Sequence, residues 1–259
     1  MRRGARLAWL PIGCLWLTFA APALAGPAFS DWSAVVVAGD WHAHSGGPSE
    51  AFDNARRDVT QAFELAGFAP ANLRQFSVRP ERYPGVALTK SAPQAIYDAL
   101  ADLTGKATGG CLIYFSSHGA PQGVVVDQRF LPPGVLANMI DTTCGKRPTV
   151  VIISACFSGV FVPALAGPNR MVLTAARPDR SSFGCGEADK YPYFDQCVLE
   201  SMPHVADFST LATTVRACVA AREIKEGMKP PSEPQVFIGA ALKAMLPLYS
   251  LAASPPTRN

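Results

Sequence analysis

The chain has 259 residues, 49% of them hydrophobic and 17% charged. That composition excludes a disordered chain and leaves enough apolar material for one sizeable domain. The formal net charge of +3 resides in Arg2, Arg3 and Arg6; the rest carries 20 basic and 20 acidic residues, which gives no electrostatic case for nucleic acid or an anionic membrane surface.

The three arginines open an export signal. An apolar stretch from Leu7 to Ala20 follows them, and Ala23-Leu24-Ala25 supplies a small-x-small cleavage site. Residues 1–25 are therefore read as a signal peptide, and the expected location is periplasmic or secreted. An uncleaved anchor is the alternative, but the run is short of the roughly 20 residues a span needs and contains Pro11. A lipoprotein reading at Cys14 fits less well, because Pro11-Ile12-Gly13 is a poor lipobox. No later segment is apolar enough to span a membrane. Residues 26–252 are expected to form one domain and residues 253–259 a disordered tail.

The elements follow in order. Residues 34–39 are a continuous apolar run ending at Gly39, the pattern of a strand buried on both faces. A glycine-rich loop from Asp40 to Pro48 leads to a helix over 50–66, with Phe52, Ala55, Val59, Phe63 and Leu65 at helical spacing and Gly67 as the stop. Residues 73–78 form a weaker strand. Ser91-Ala92-Pro93 opens a second helix, with Ser91 as its cap. Residues 111–115 are a second buried strand and residues 123–126 a short strand in a hairpin with the segment around Phe130; Leu131-Pro132-Pro133 starts a helix that runs to about Thr143. Residues 149–153 are a third buried strand. Further strands are expected at 171–175 and 235–238, helices near 194–202 and 209–226, and a rigid turn at Lys229-Pro230-Pro231. Strands alternating with helices predict an α/β domain with a mostly parallel sheet.

Ligands of open parallel sheets bind beyond the carboxyl ends of the strands. Two strands here end in reactive groups. One runs into Ser116-Ser117-His118-Gly119 and the other into Ser154-Ala155-Cys156-Phe157-Ser158-Gly159. One helical crossover separates them, so the strands are expected to be neighbours, about 4.8 Å apart. A thiol and an imidazole facing one cleft make a nucleophile and its base. The N–H groups of Gly119 and Cys156 are candidates for an oxyanion hole, and a helix starting near Gly159 would point its positive end at the thiol.

These blocks, with Thr174-Ala175-Ala176-Arg177-Pro178-Asp179-Arg180-Ser181-Ser182-Phe183-Gly184-Cys185, resemble the legumain (asparaginyl endopeptidase) family of cysteine peptidases. That family includes the catalytic subunit of the glycosylphosphatidylinositol-anchor transamidase and shares the caspase–haemoglobinase fold with caspases, metacaspases and gingipains. The similarity covers roughly residues 34–240. It implies a caspase-like three-layer sandwich with helices on both faces of the sheet. It also implies His118 as general base and acid, Cys156 as a nucleophile forming a thioester, a peptide or protein substrate, and neither metal nor organic cofactor. Transpeptidation shares that acyl-enzyme. By motif position Ser182 matches a serine of the pocket for the P1 side chain, and Asp195 an acidic pocket residue. The chain departs from the family at Phe157, where legumain has an acidic residue, at Ser117, where it has aspartate, and at Phe52-Asp53-Asn54-Ala55, where it has an Arg-His pair. Asp53 and Asn54 remain candidates for orienting His118 or shaping the pocket. The P1 preference is left open.

Other readings compete. His42, His44 and His118 are three imidazoles that a zinc ion would accept, although no carboxylate stands at a familiar spacing. Cys156, Asp195 and His204 follow the chain order of an α/β-hydrolase esterase, but Ser154 stands where the nucleophile elbow wants glycine. A catalytically silent caspase-like module that binds a peptide or partner is the non-enzymatic alternative. Of seven cysteines, six follow the signal segment. A Cys111–Cys144 bridge and one bridge among Cys185, Cys197 and Cys218 fit an exported chain. Free buried thiols fit as well, and spacing does not decide.

Overall fold

The computed structural model describes Met1 and residues 28–251. The predicted signal peptide beyond Met1 and the predicted tail over 253–259 lie outside them. The chain runs through β1 (Trp32–Ala38), α1 (Ala51–Leu65), β2 (Leu73–Ser77), β3 (Leu88–Lys90), α2 (Pro93–Thr104) and β4 (Gly110–Ser116). A small ribbon of β5 (Gly119–Ala120), β6 (Gly123–Val126) and β7 (Arg129–Leu131) precedes α3 (Pro133–Thr143) and β8 (Thr149–Ser154). Then come α4 (Phe161–Leu165), β9 (Arg170–Thr174), α5 (Tyr193–Ser201), α6 (Phe208–Glu226), β10 (Gln235–Ile238) and α7 (Ala240–Met245).

Seven strands form one sheet in the order β10-β9-β8-β4-β1-β2-β3. All neighbours pair in parallel except β10, which lies antiparallel to β9 at the edge. The alternation of side chains along a strand divides the core in two. Ala34, Val36, Leu112, Tyr114, Val150, Ile152, Met171 and Leu173 face a layer built from α1, α5, α6 and α7. Val35, Val37, Ile113, Phe115, Val151, Ile153 and Val172 face α2, α3 and α4. The fold is thus an α/β three-layer sandwich, and strands covered on both faces explain the unbroken apolar runs in the sequence.

The helix ends follow local chemistry. The Asp207 side chain accepts the N–H groups of Ser209 and Thr210, Thr210 returns a bond to the Asp207 N–H, and this capping box starts α6. Gly227 at φ 69° ends it. The predicted cap of α2 is corrected. Ala92 is the residue flanking the helix, Pro93 supplies the fixed first turn, and Ser91 instead donates its hydroxyl to the Ala38 carbonyl at 2.7 Å. The helix expected at Gly159 is a 3-10 turn over Ser158–Val160 leading into the five-residue α4.

Two disulfides close the sandwich. Cys111 at the start of β4 joins Cys144 after α3, and Cys197 of α5 joins Cys218 of α6. Among the described residues no helix is long and apolar enough to cross a membrane.

Candidate active site

The strands carrying the two reactive groups are direct neighbours. Ser116 of β4 and Ser154 of β8 are paired in register, so His118 and Cys156 each stand two residues beyond the same rung of the ladder. The turns that follow touch. A Cβ placed on Gly119 would lie 2.3 Å from the Cys156 carbonyl oxygen, so only glycine lets the two backbones come this close. A Cβ on Gly159 would likewise meet Pro178 at 2.6 Å, which seats the turn after Cys156 against the third sequence block.

Beyond these turns lies a cleft of about 530 Å³, lined by His44, His118, Gly119, Cys156, Phe157, Ser181 to Gly186, Asp189, Tyr193 and Met228. The Cys156 thiol donates to the Ser182 carbonyl at 3.5 Å and accepts the Ser182 N–H at 3.3 Å. The Ser182 hydroxyl is 3.7 Å from the same sulfur. Phe157 is held at φ 57° in the left-handed region, with its N–H donated to the Arg180 carbonyl at 2.7 Å. A non-glycine residue pays about 1–2 kcal/mol there, and such outliers gather where a turn must present a functional group.

The imidazole is positioned from the opposite side. His118 Nε2 lies 2.9 Å from the His42 carbonyl oxygen. A carbonyl only accepts, so Nε2 carries the proton and the lone pair of the neutral ring is on Nδ1. Asp40 sets that carbonyl: its Oδ1 accepts the N–H groups of Trp41 and His42 at 2.6 and 3.0 Å and contacts His42 Nδ1 at 2.7 Å. Phe52, buried at the start of α1, meets the His118 ring edge-on with centroids 5.0 Å apart. Gly119 faces Val124 across the ribbon, and the neighbouring bond runs from the Val125 N–H to the His118 carbonyl. Gly119 is therefore the non-hydrogen-bonded member of the ladder, with its own N–H turned away from β6.

The peptidase C13 family model, the legumain family, matches residues 98–235, more than half of the chain and all of the segment holding His118, Cys156 and Ser182. The chain belongs to the peptidase C13 family. This C13 peptidase is a cysteine endopeptidase by that membership. Its fold is similar to that of caspase-1 from Spodoptera frugiperda, with a TM-score of 0.58 over 90% of this chain and 94% of that one; at 14% identity the likeness concerns the fold alone. No curated protein sequence gives a significant match.

Not every residue singled out in the sequence reaches the cleft of this C13 peptidase. Ser182 and Phe157 line it. Asp195 does not: it is fully buried below the strand ends, so its assignment to the substrate pocket is corrected. Asp53 is also corrected. It is buried in an ion pair with Arg56 at 2.9 Å and accepts the Ser77 hydroxyl at 3.0 Å, and burial raises its pKa although Arg56 opposes this. Asn54 donates to the Lys190 carbonyl and accepts from Arg57, away from His118. The work expected of Asp53 or Asn54, orienting the imidazole, falls to the backbone of His42.

The zinc reading fails in geometry, because the ring nitrogens of His42, His44 and His118 do not lie close enough together to share one ion. The one group of described side chains close enough to hold a metal is Cys197, Glu200 and Cys218, and its two thiols are joined in the disulfide. The esterase triad also fails. His204 is exposed at the end of α5, and Asp195 bonds other residues. Cys185 is a second free thiol in the cleft. Burial first, then the nearby Cys156 and Asp189, push its pKa up to about 11.

Proposed function

We propose that this C13 peptidase is an exported endopeptidase that cleaves peptide bonds with Cys156 as nucleophile and His118 as base. The observation carrying this reading is the contact of the two turns, Gly119 against the Cys156 carbonyl, which brings the imidazole and the thiol to one cleft. His118 Nδ1 takes the thiol proton as the sulfur attacks the scissile carbonyl. The free thiol is bonded to Ser182 rather than to His118, so the attack begins with rotation of the sulfur away from Ser182. The N–H groups of Gly119 and Cys156 receive the developing oxyanion. The imidazolium then protonates the departing amine and leaves a thioester on Cys156. Water releases the acid product; an amine in its place gives transpeptidation. Export is supported by the two disulfides, which persist in an oxidising compartment, and by the signal-like segment over residues 1–25.

The test is cleavage of a mixed peptide library by the mature protein, read by mass spectrometry. Cys156→Ala is expected to abolish cleavage, and His118→Ala to lower kcat by roughly 10²–10⁴. A folded, reduced parent that cleaves nothing from acidic to neutral pH points instead to a silent peptide-binding module. Activity that survives in Cys156→Ala removes the nucleophile assignment.

A further inference from the structure

Directly beneath the cleft is a carboxylate that takes no part in the chemistry above. Asp195 is fully buried on α5, and among the described residues no lysine, arginine or histidine pairs with it. Its Oδ1 accepts the Tyr114 hydroxyl at 2.5 Å. Its Oδ2 accepts two more, from Ser116 at 2.8 Å and from Ser154 at 2.7 Å. Ser116 and Ser154 are the paired last residues of β4 and β8. One oxygen atom therefore bridges the two strands at the rung from which His118 and Cys156 depart.

We propose that Asp195 is a positioning residue whose carboxylate clasps the ends of β4 and β8 and so sets the placement of Cys156 relative to His118. The proposal rests on the dyad reading above. A carboxylate is acceptor-only, and it alone can take all three hydroxyl protons at once. An amide in its place presents a donor to one side, which forces the hydroxyls to reorient or part. Stability does not call for a charge here, because an unpaired buried carboxylate costs more than an apolar side chain of the same shape. The strands are already joined by their ladder. What the clasp adds is a fixed spacing just before the backbone leaves the sheet. Tyr193, two residues earlier on the same helix, lines the cleft, so the clasp also ties that wall to both strand ends.

The experiment compares the full mature protein with Asp195→Asn and Ser154→Ala, using Cys156→Ala as the blank. Folding is followed by circular dichroism and cooperative melting. Two readouts are taken: kcat and KM on a cleaved library peptide, and the rate at which iodoacetamide alkylates Cys156, by peptide mass spectrometry. Folded Asp195→Asn is expected to lose about tenfold or more in kcat, with KM changed by less than about threefold, as small misplacements of reacting groups do. Cys156 alkylation is expected to slow by about fivefold. Ser154→Ala, which removes one of three donors, should show a smaller loss of the same kind. A folded Asp195→Asn with kcat and alkylation within about twofold of the parent overturns the proposal, even if its melting temperature shifts. If Asp195→Asn does not fold, Ser154→Ala decides by the same criteria. If the parent cleaves no peptide, the proposed function fails, and the alkylation rates alone decide whether Asp195 positions Cys156.

Discussion

His118 is oriented by a backbone carbonyl, and that has consequences for its neighbours. Asp40 aims the His42 carbonyl, so Asp40→Ala should lower kcat by about tenfold while leaving the fold intact, since misaimed catalytic groups cost rate before stability; steady-state kinetics beside a melting curve checks this. The two free thiols should differ sharply in reactivity. With its pKa pushed up to about 11, Cys185 holds a thiolate fraction of only ~10⁻⁴ at pH 7. Iodoacetamide should therefore label Cys156 well before Cys185, as peptide mapping over time will show. Among the described residues, Asp189 is the sole carboxylate lining the cleft, and its side chain accepts the Gly186 N–H at 2.7 Å with no cationic partner. A carboxylate without a counter-ion selects cations, so library cleavage should favour lysine or arginine at P1, and Asp189→Asn should erase that preference. Among these residues, His118 and Cys156 were legible in the sequence because their side chains carry chemistry and each ends an apolar run. His42 was legible only as an imidazole, whereas its working atom is a carbonyl that any residue type supplies. Asp195 looked like a pocket residue because motif position shows where a side chain starts and not which serines and tyrosine will surround it.

The element that binds the site together is α5, which carries Tyr193, Asp195 and the disulfide partner Cys197. Burial raises the Asp195 pKa to about 6, against the hydroxyl bonds that pull it down. The unfolded chain releases this proton near pH 4. Between those values the native state holds the proton and the unfolded state does not, so the contribution of Asp195 is full below pH 4 and is lost as pH rises through 6. The shift corresponds to about 3 kcal/mol. The stability difference between the parent and Asp195→Asn should therefore move in favour of the variant by that order between pH 4 and pH 7, measured by urea unfolding at both. A difference that stays constant refutes the assignment. Elsewhere, elements were readable in proportion to their burial. β1, β4, β8 and β9 announce themselves as apolar runs because both faces are covered. β3 and β5 have three and two residues, and α7 only six; none repeats its period often enough to be seen.

At the scale of the whole molecule, the two cross-links act on opposite layers of the sandwich. Cys111–Cys144 closes a sequence separation of 33 residues on the α3 side, and Cys197–Cys218 one of 21 on the α5 side. Loop closure in the unfolded chain makes each worth about 3–4 kcal/mol. Replacing Cys111 and Cys144 together by serine should lower the unfolding free energy by that order, seen as an earlier urea midpoint. The cleft lies at the far end of β4 from Cys111, so kcat should be kept in whatever fraction remains folded. The contact of Gly119 with the Cys156 carbonyl has a different reach. Because nothing but a hydrogen separates the two turns, any larger side chain at 119 is a wedge driven between base and nucleophile. A single added methyl would pry the pair apart and leave every reactive atom in place, yielding a protein that still holds its substrate in the cleft and does not cut it.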